Sequence, residues 1–293
     1  MNRREFSQRI AAAAASCVLP SALSQSGPAH PQPRFSVMLW TLGKSVSFDH
    51  CLEIVAAAGY QGVELVGEFH QWSSDEMQRV MAKMLSLHLR FDMLSGVKSG
   101  FADPAGTNAL LAELEGQFKT AQTLESPQVN LKSGPRIGTL SPAAQHAASV
   151  ENLKRVAELA AAANVQIVIE PIDPIESPTM FMTSVSEGFD LVREVNSPHV
   201  RVLYDFYHEQ RAQGNLIEKL EKNIDLVGLV HIADVPGRHE PGTGEIDYRN
   251  IYRTLAQLKY DKFITMEFYP SGDPIATLSK ARVDAIEAMQ SAP

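Results

Sequence analysis

The sequence has few cysteines and no excess of basic charge. Its 293 residues include only two cysteines, Cys17 and Cys51, and carry a formal net charge of −8. Cys17 falls in an N-terminal segment with the features of an export leader, so the mature chain would hold one thiol and no internal disulfide. The negative charge argues against nonspecific nucleic-acid binding, which needs clustered lysine and arginine. A large hydrophobic core is therefore expected to stabilise the chain.

A long apolar run is missing near the N-terminus as well. The apolar stretch at residues 10–19 is short and rich in alanine, so no membrane span is expected in the mature chain. It follows Arg3 and Arg4 in the motif RREF, which resembles a twin-arginine export signal. Residues 1–33 are therefore predicted to be a signal peptide and linker, and residues 34–293 a single domain exported to the periplasm. The alternative is a disordered start on a cytoplasmic protein.

A glycine-rich phosphate turn is absent after the first predicted strand, which disfavours an open, doubly wound sheet. Strands and helices alternate, and this pattern predicts a parallel sheet. Eight strand–helix pairs fit an α/β fold of the single (β/α)8 TIM barrel type, which typically needs roughly 250 residues. The predicted strands cover 35–40, 62–66, 89–94, 128–132, 165–170, 200–205, 227–231 and 263–267. The predicted helices cover 48–58, 74–85, 107–123, 142–163, 184–195, 216–224, 248–258 and 274–289.

Four potential metal ligands end the last four predicted strands. In a TIM barrel, the C-terminal ends of the strands form the active-site face, so these side chains are expected to converge. Three carboxylates with one imidazole suit a single divalent ion such as Mn²⁺, Mg²⁺, Co²⁺ or Zn²⁺. The predicted metal ligands are Glu170, Asp205, His231 and Glu267.

Glu170 and Glu267 are also the predicted catalytic residues. They belong to strands five and eight and can therefore face each other across the barrel mouth. Two carboxylates beside a substrate can move a proton from one carbon to its neighbour. A metal on adjacent oxygens of a hydroxy-ketone makes that carbon more acidic and stabilises the enediolate. The pattern predicts an isomerase, or an epimerase if the proton returns to the same carbon, although any one such carboxylate could merely cap a helix or pair with lysine.

Three polar residues that follow the predicted ligands are candidates for substrate binding. His208, Arg238 and Glu176 come three, seven and six residues after the ligands of strands six, seven and five. Arginine offers a two-pronged donor for a carboxylate or an enediolate oxygen, and histidine can donate to a substrate oxygen. Lys132, at the end of strand four, either holds an anion or extends into solvent. Glu64, near the end of strand two, is expected to orient its neighbours by hydrogen bonding.

Four segments carry a resemblance to a known family. They are IEPI at 169–172, YDFYH at 204–208, IADVPGRHEPGTGEIDY at 232–248 and MEFYP at 266–270. At these residues the chain resembles the xylose isomerase-like barrel superfamily and, within it, the hydroxypyruvate isomerases. The resemblance implies interconversion of hydroxypyruvate and 2-hydroxy-3-oxopropanoate (tartronate semialdehyde). It also implies Glu170 and Glu267 as the proton-transfer pair, and these two with Asp205 and His231 as the metal site.

Two other functions stay open at this point. A ketose 3-epimerase or another keto-sugar isomerase would use the same groups on a different substrate. An exported sugar-binding protein without catalysis is the alternative from another class, but pure binding needs no pair of opposed glutamates. The expected partner is a small hydroxy-keto acid or keto-sugar, with no nucleic acid and with a possible homo-oligomer.

Overall fold

Eight short runs rich in branched apolar residues form eight parallel strands in the computed structural model, which describes residues 33–292. The strands close into a barrel in the order β1 to β8, and the pairing of Phe35 with Ile264 joins the last strand to the first. The predicted α/β TIM barrel is therefore confirmed. The strands are β1 (Arg34–Met38), β2 (Gly62–Val66), β3 (Arg90–Ser95), β4 (Gln128–Lys132), β5 (Gln166–Glu170), β6 (Val200–Asp205), β7 (Val227–Ile232) and β8 (Phe263–Met266).

The α-helices of the described region surround the barrel. Several begin after a serine or aspartate at the N-cap position, where a side-chain oxygen can accept an N–H of the first turn. Such hydrogen bonds are accepted by the side chains of Ser47, Ser73, Ser141 and Asp273. The helices are α1 (Phe48–Ala57), α2 (Ser74–Ser86), α3 (Thr107–Thr123), α4 (Pro142–Ala163), α5 (Val185–Val195), α6 (Phe206–Ala212), α7 (Leu216–Asn223), α8 (Tyr248–Gln257) and α9 (Pro274–Gln290). None of these helices is both long and apolar enough to cross a bilayer.

Two layers of apolar side chains stabilise the barrel. The larger layer joins the outer strand faces to the helices. The smaller one fills the barrel interior and consists of Met38, Met93, Val168, Leu203, Leu229 and Phe263. Because side chains alternate along a strand, the residues two positions beyond several of these also face inward, but nearer to the mouth. That register places Glu170, Asp205, His231 and Glu267 above the apolar layer.

The sequence predictions differ from the fold at one helix and at several strand ends. Helix α6 is not among the predicted helices; it starts directly after β6 because the carboxylate of Asp205 caps it. Strand β1 ends at Met38 rather than at Trp40, because Leu39–Leu42 form a 3-10 helix. Strand β8 ends at Met266 rather than at Glu267, so Glu267 is the first residue after the strand. The predicted export signal at residues 1–33 lies outside the described residues except for Pro33, so it stays a prediction.

Candidate active site and metal centre

The four predicted metal ligands meet at the C-terminal mouth of the barrel. One ligand atom from each of them lies within 4.8 Å of the ligand atoms of the others. All four side chains are buried, with Glu267 the most exposed of them at 6%. The side chains that the sequence placed at four separate strand ends are thus one cluster of three carboxylates and one imidazole: Glu170, Asp205, His231 and Glu267.

The two carboxylate oxygens of Asp205 have different roles: one caps a helix and the other faces the site. Oδ1 accepts the backbone N–H groups of Tyr207 at 2.7 Å and His208 at 3.2 Å, which starts α6. Oδ2 is buried and has no hydrogen-bond partner in the described part of the chain. Burial raises the pKa of Asp205, and the nearby Glu267 adds to this, although His208 opposes it. The free oxygen therefore accepts no hydrogen bond, and its nearest basic groups are His208 Nε2 at 3.6 Å, Arg238 Nη2 at 3.7 Å and His231 Nδ1 at 4.0 Å.

His231 lies between two carboxylates. Its Nδ1 is 2.8 Å from Glu267 Oε2, and its Nε2 is 3.0 Å from Glu64 Oε2. Burial alone would lower the pKa of His231, but Glu64 and Glu267 together raise it well above the ordinary value. Glu64 lies within β2 and is fully buried beneath the mouth, with its Oε1 accepting the hydroxyl of Thr265 at 2.5 Å. The prediction that Glu64 orients its neighbours fits this position.

Glu267 is surrounded by donors. Arg238 Nη2 is 2.8 Å from its Oε2, and Trp40 Nε1 donates to its Oε1 at 3.3 Å. Burial would raise the pKa of Glu267, but Arg238 and His231 hold it well below the ordinary value. The carboxylate is therefore ionised at neutral pH.

Arg238 reaches the site from a loop with a fixed backbone. Its N–H donates to Asp234 O, its carbonyl accepts from Tyr269 N–H at 2.8 Å, and its φ is +57°. The guanidinium also contacts Glu176 at 3.2 Å and packs over the ring of Tyr207. Arg238 and the predicted Glu176 therefore lie in one ion-pair network at the mouth.

His208, on the first turn of α6, is held by a residue that the sequence reasoning missed. Asp173 Oδ2 is 2.7 Å from His208 Nδ1, and Arg211 lies 3.2 Å from the same oxygen. This contact directs Nε2 of His208 toward the cluster, 3.6 Å from Asp205 Oδ2. Burial would lower the pKa of His208, but Asp205 and the hydrogen bond to Asp173 raise it. The sequence feature that could have indicated a role for Asp173 is its position three residues after Glu170, in the same loop as Glu176.

Glu170 is positioned by β4, the strand beside it. Asn130 Nδ2, two residues before the end of β4, donates to Glu170 Oε2 at 2.6 Å. Lys132, the last residue of β4, pairs with Glu170 in the strand register, and its Nζ is 3.8 Å from the same oxygen. The predicted catalytic glutamates thus have different partners, since Glu170 meets an amide and an ammonium, and Glu267 an indole, an imidazole and a guanidinium.

A cavity of about 180 Å³ opens over this cluster. It is smaller than the roughly 300–1,000 Å³ of pockets that take drug-sized ligands, so it suits a small metabolite. Its walls include Met38 and Trp40, and all three predicted substrate-binding residues line it, namely His208, Arg238 and Glu176. The structure therefore brings Glu170, Glu267 and the three predicted substrate-binding residues to one cavity, while Asp205 and His231 lie beside it in the cluster.

The four clustered side chains fit a divalent cation. Three carboxylates are buried within one small volume, and Asp205 Oδ2 accepts no hydrogen bond from the described residues, so this oxygen is free to bind a cation. Oxygen ligands with one imidazole nitrogen are the donors that Mn²⁺, Mg²⁺, Co²⁺ or Zn²⁺ accept. Glu64, on the far side of the imidazole, is placed to hold the ring from behind.

Comparison with known proteins agrees with this fold. The family profile described as "Xylose isomerase-like TIM barrel" matches residues 52–290. Hydroxypyruvate isomerase of Escherichia coli is 27% identical over 242 residues, which cover 81% of this chain and 93% of the relative. The 2-oxo-tetronate isomerase of Cupriavidus necator is 27% identical and covers 84% of this chain and 96% of its own length.

A solved structure also matches the whole barrel. The Brucella melitensis protein described as AP endonuclease, family 2, superposes with a TM-score of 0.78 at 25% identity and covers 86% of this chain and 99% of its own. The chain belongs to the xylose isomerase-like TIM barrel family. It is an isomerase of that family, as the sequence predicts.

Proposed function

We propose that the protein is a metal-assisted isomerase that interconverts hydroxypyruvate and tartronate semialdehyde. The observation that carries this proposal is the pair of buried glutamates, Glu170 and Glu267, which line one small cavity and cluster with the unpartnered oxygen of Asp205. The two relatives named above support it, because both are named for isomerisation of a small keto-acid. The proposed metal ligands are Glu170, Asp205, His231 and Glu267.

The reaction needs one proton to leave C3 of hydroxypyruvate and one to arrive at C2. One glutamate takes the C3 proton and leaves the electron pair in an enediolate, and a glutamate then protonates C2. The hydroxyl proton moves from O3 to O2, so that C3 becomes an aldehyde and C2 an alcohol. Glu267, ionised through Arg238 and His231, is in the unprotonated form that a general base needs.

The other residues of the cavity would hold the substrate during these steps. His208, fixed by Asp173, directs Nε2 into the site and can donate to a substrate oxygen. Arg238 lies against Glu267 and can donate to the oxygen on which negative charge develops. A divalent ion, when bound, would polarise the carbonyl and stabilise negative charge on the enediolate.

Proton exchange in D₂O tests the proposal. The protein, supplied with Mn²⁺, is incubated with hydroxypyruvate and with a panel of ketoses, and the substrates are followed by NMR. We expect deuterium at C3 of hydroxypyruvate together with formation of tartronate semialdehyde. Exchange confined to C3 of a ketose, with inversion there, would instead establish the 3-epimerase alternative. Absence of exchange on every substrate would contradict an isomerase of either type.

We further propose that the protein is exported through its twin-arginine motif. The support is the RREF motif with its short apolar run. Replacing Arg3 and Arg4 by lysine should leave the protein in the cytoplasm. Unchanged recovery from the periplasm would contradict this export route.

A further inference from the structure

Two permanently charged basic side chains of the described region line the cavity, and their surroundings differ. Arg238 is largely neutralised by protein carboxylates, since it contacts Glu267 at 2.8 Å and Glu176 at 3.2 Å. Its Nε also donates to the carbonyl of Glu267 at 3.3 Å, and its plane packs near Trp40. Most of its donors are therefore already directed at the protein.

Lys132 is the cation with free donors. Its ammonium makes one ionic contact, at 3.8 Å to Glu170 Oε2, and donates no hydrogen bond to any residue between 33 and 292. Glu170 does not depend on it, because Asn130 already donates to the same oxygen at 2.6 Å. The side chain is 45% exposed, so its three N–H groups can reach a molecule in the cavity.

The ammonium of Lys132 lies within the site rather than extending away from it. The register of β4 puts Lys132 on the same inward face as Asn130, and the cavity wall includes both residues. The wall of the same cavity also includes the carboxyl side chains of Glu170, Glu176 and Glu267. A lysine that merely extended into solvent would not lie in the combined field of these carboxylates.

We propose that Lys132 binds the carboxylate of the substrate and thereby selects keto-acids over neutral ketoses. This assignment rests on the proposed isomerase function and deepens it. Arg238 remains at the enediolate end, against Glu267, while Lys132 supplies the unpaired charge beside Glu170. A substrate without a carboxylate would leave that ammonium without an anionic partner other than the distant Glu170 oxygen.

A matched pair of substrates isolates the role of Lys132. Dihydroxyacetone differs from hydroxypyruvate only in carrying CH₂OH in place of the carboxylate, and it can undergo the same proton shift. The variants are Lys132→Gln, which removes the charge, and Lys132→Arg, which keeps it. Lys98→Gln is the control, because Lys98 is an exposed lysine of the loop after β3, at the same end of the barrel.

We expect Lys132→Gln to lower kcat/KM on hydroxypyruvate by about tenfold or more, as for loss of a charge-assisted hydrogen bond. On dihydroxyacetone, kcat/KM should fall by less than about threefold. Lys132→Arg should recover most of the activity on hydroxypyruvate, and Lys98→Gln should change neither substrate. Equal losses on both substrates, or the same loss in Lys98→Gln, would overturn the assignment.

Ligand binding separates this inference from the proposed reaction. Calorimetry compares D-glycerate, which carries the carboxylate, with glycerol, which does not, and thermal unfolding checks that each variant is folded. We expect the wild type to bind glycerate more tightly than glycerol. In Lys132→Gln, the ratio of the two affinities should fall by about tenfold. This result would support Lys132 even if no isomerisation occurred. A wild type without preference, or a variant that keeps it, would overturn the role of Lys132 whatever the catalytic result.

Discussion

The two halves of the barrel use buried carboxyl groups in opposite ways. In the half formed by β1–β3, Asp92 lies next to Glu64, and burial with the neighbouring carboxylate raises its pKa well above the ordinary value. In the half that ends with β8, burial would also raise the pKa of Glu267, but Arg238 and His231 hold it well below that value. Equal burial thus accompanies a raised carboxyl pKa in one place and a lowered one in the other, and the neighbours decide the direction.

The buried polar groups form two levels, one beneath the mouth and one at it. In the lower network, formed by Ser36, Glu64, Asp92 and Thr265, Ser36 donates to Asp92 at 2.5 Å and its hydroxyl lies 2.8 Å from that of Thr265. Each level keeps buried oxygens without a hydrogen-bond partner among the described residues, namely Asp92 Oδ1 and Glu64 Oε2 below and Asp205 Oδ2 at the mouth. The levels differ in access, because Glu170 and Glu267 of the upper cluster (Glu170, Asp205, His231 and Glu267) line the cavity and the lower network does not. His231 connects the two through Glu64.

Loss of the metal site is the largest effect expected from breaking the upper cluster. Asp205→Ala combined with His231→Ala removes two of the four proposed ligands, so bound metal and nearly all activity should be lost. Metal content after gel filtration measures the first, and the hydroxypyruvate assay the second. The matched control is Ser36→Ala, which removes a polar group of the lower network and should leave the metal in place. Full metal occupancy in the double variant would contradict the site.

The contact between Glu64 and His231, which joins the lower network to the upper cluster, can be tested by substituting Glu64. Glu64→Gln keeps the size of the side chain but removes the negative charge 3.0 Å from His231 Nε2. Loss of such a supporting carboxylate typically lowers metal affinity by roughly 10–100-fold. Asp92→Asn should have little effect, because burial and the nearby Glu64 favour the uncharged form of Asp92. Competition with a chelator measures both affinities, and equal losses in the two variants would remove the distinction between these carboxyl groups.

A smaller effect is expected at Arg238. Arg238→Lys keeps the charge but cannot contact Glu267 and Glu176 with two separate nitrogens. We expect kcat/KM to fall by about tenfold, which corresponds to one such contact. Because Arg238 is assigned to the enediolate end, the loss should be similar for hydroxypyruvate and dihydroxyacetone. A loss confined to hydroxypyruvate would indicate that Arg238, rather than Lys132, binds the substrate carboxylate.

The sequence allowed prediction of those features that follow from local periodicity. The strand β2 and the helix α3 match their predicted bounds, because hydrophobic alternation and helix signals are local. The ligand set was also accessible, since parallel strands bring their ends together in a barrel. Helix α6 was missed, because its start depends on Asp205 capping it from the preceding strand end. Local patterns do not show that a carboxylate has this second role.

Contacts between distant residues lie beyond such reasoning. Asp173 and His208 are 35 residues apart, and their hydrogen bond depends on how two loops meet above the barrel. Likewise, spacing showed that Glu64 lay near the end of β2, but not that it lies behind His231, 3.0 Å from its ring. The sequence could therefore predict which residues reach the mouth, but not which of them pair there.

Deuterium exchange in the single variants Glu170→Gln and Glu267→Gln tests the central claim most directly. Both are measured with saturating Mn²⁺, with metal content and glycerate binding determined on the same samples. We expect binding to persist while exchange at C3 of hydroxypyruvate falls by roughly 10²–10⁴-fold, the usual cost of losing a general base. Near-normal exchange in both variants, with the metal retained, would contradict the proton-transfer role of this pair.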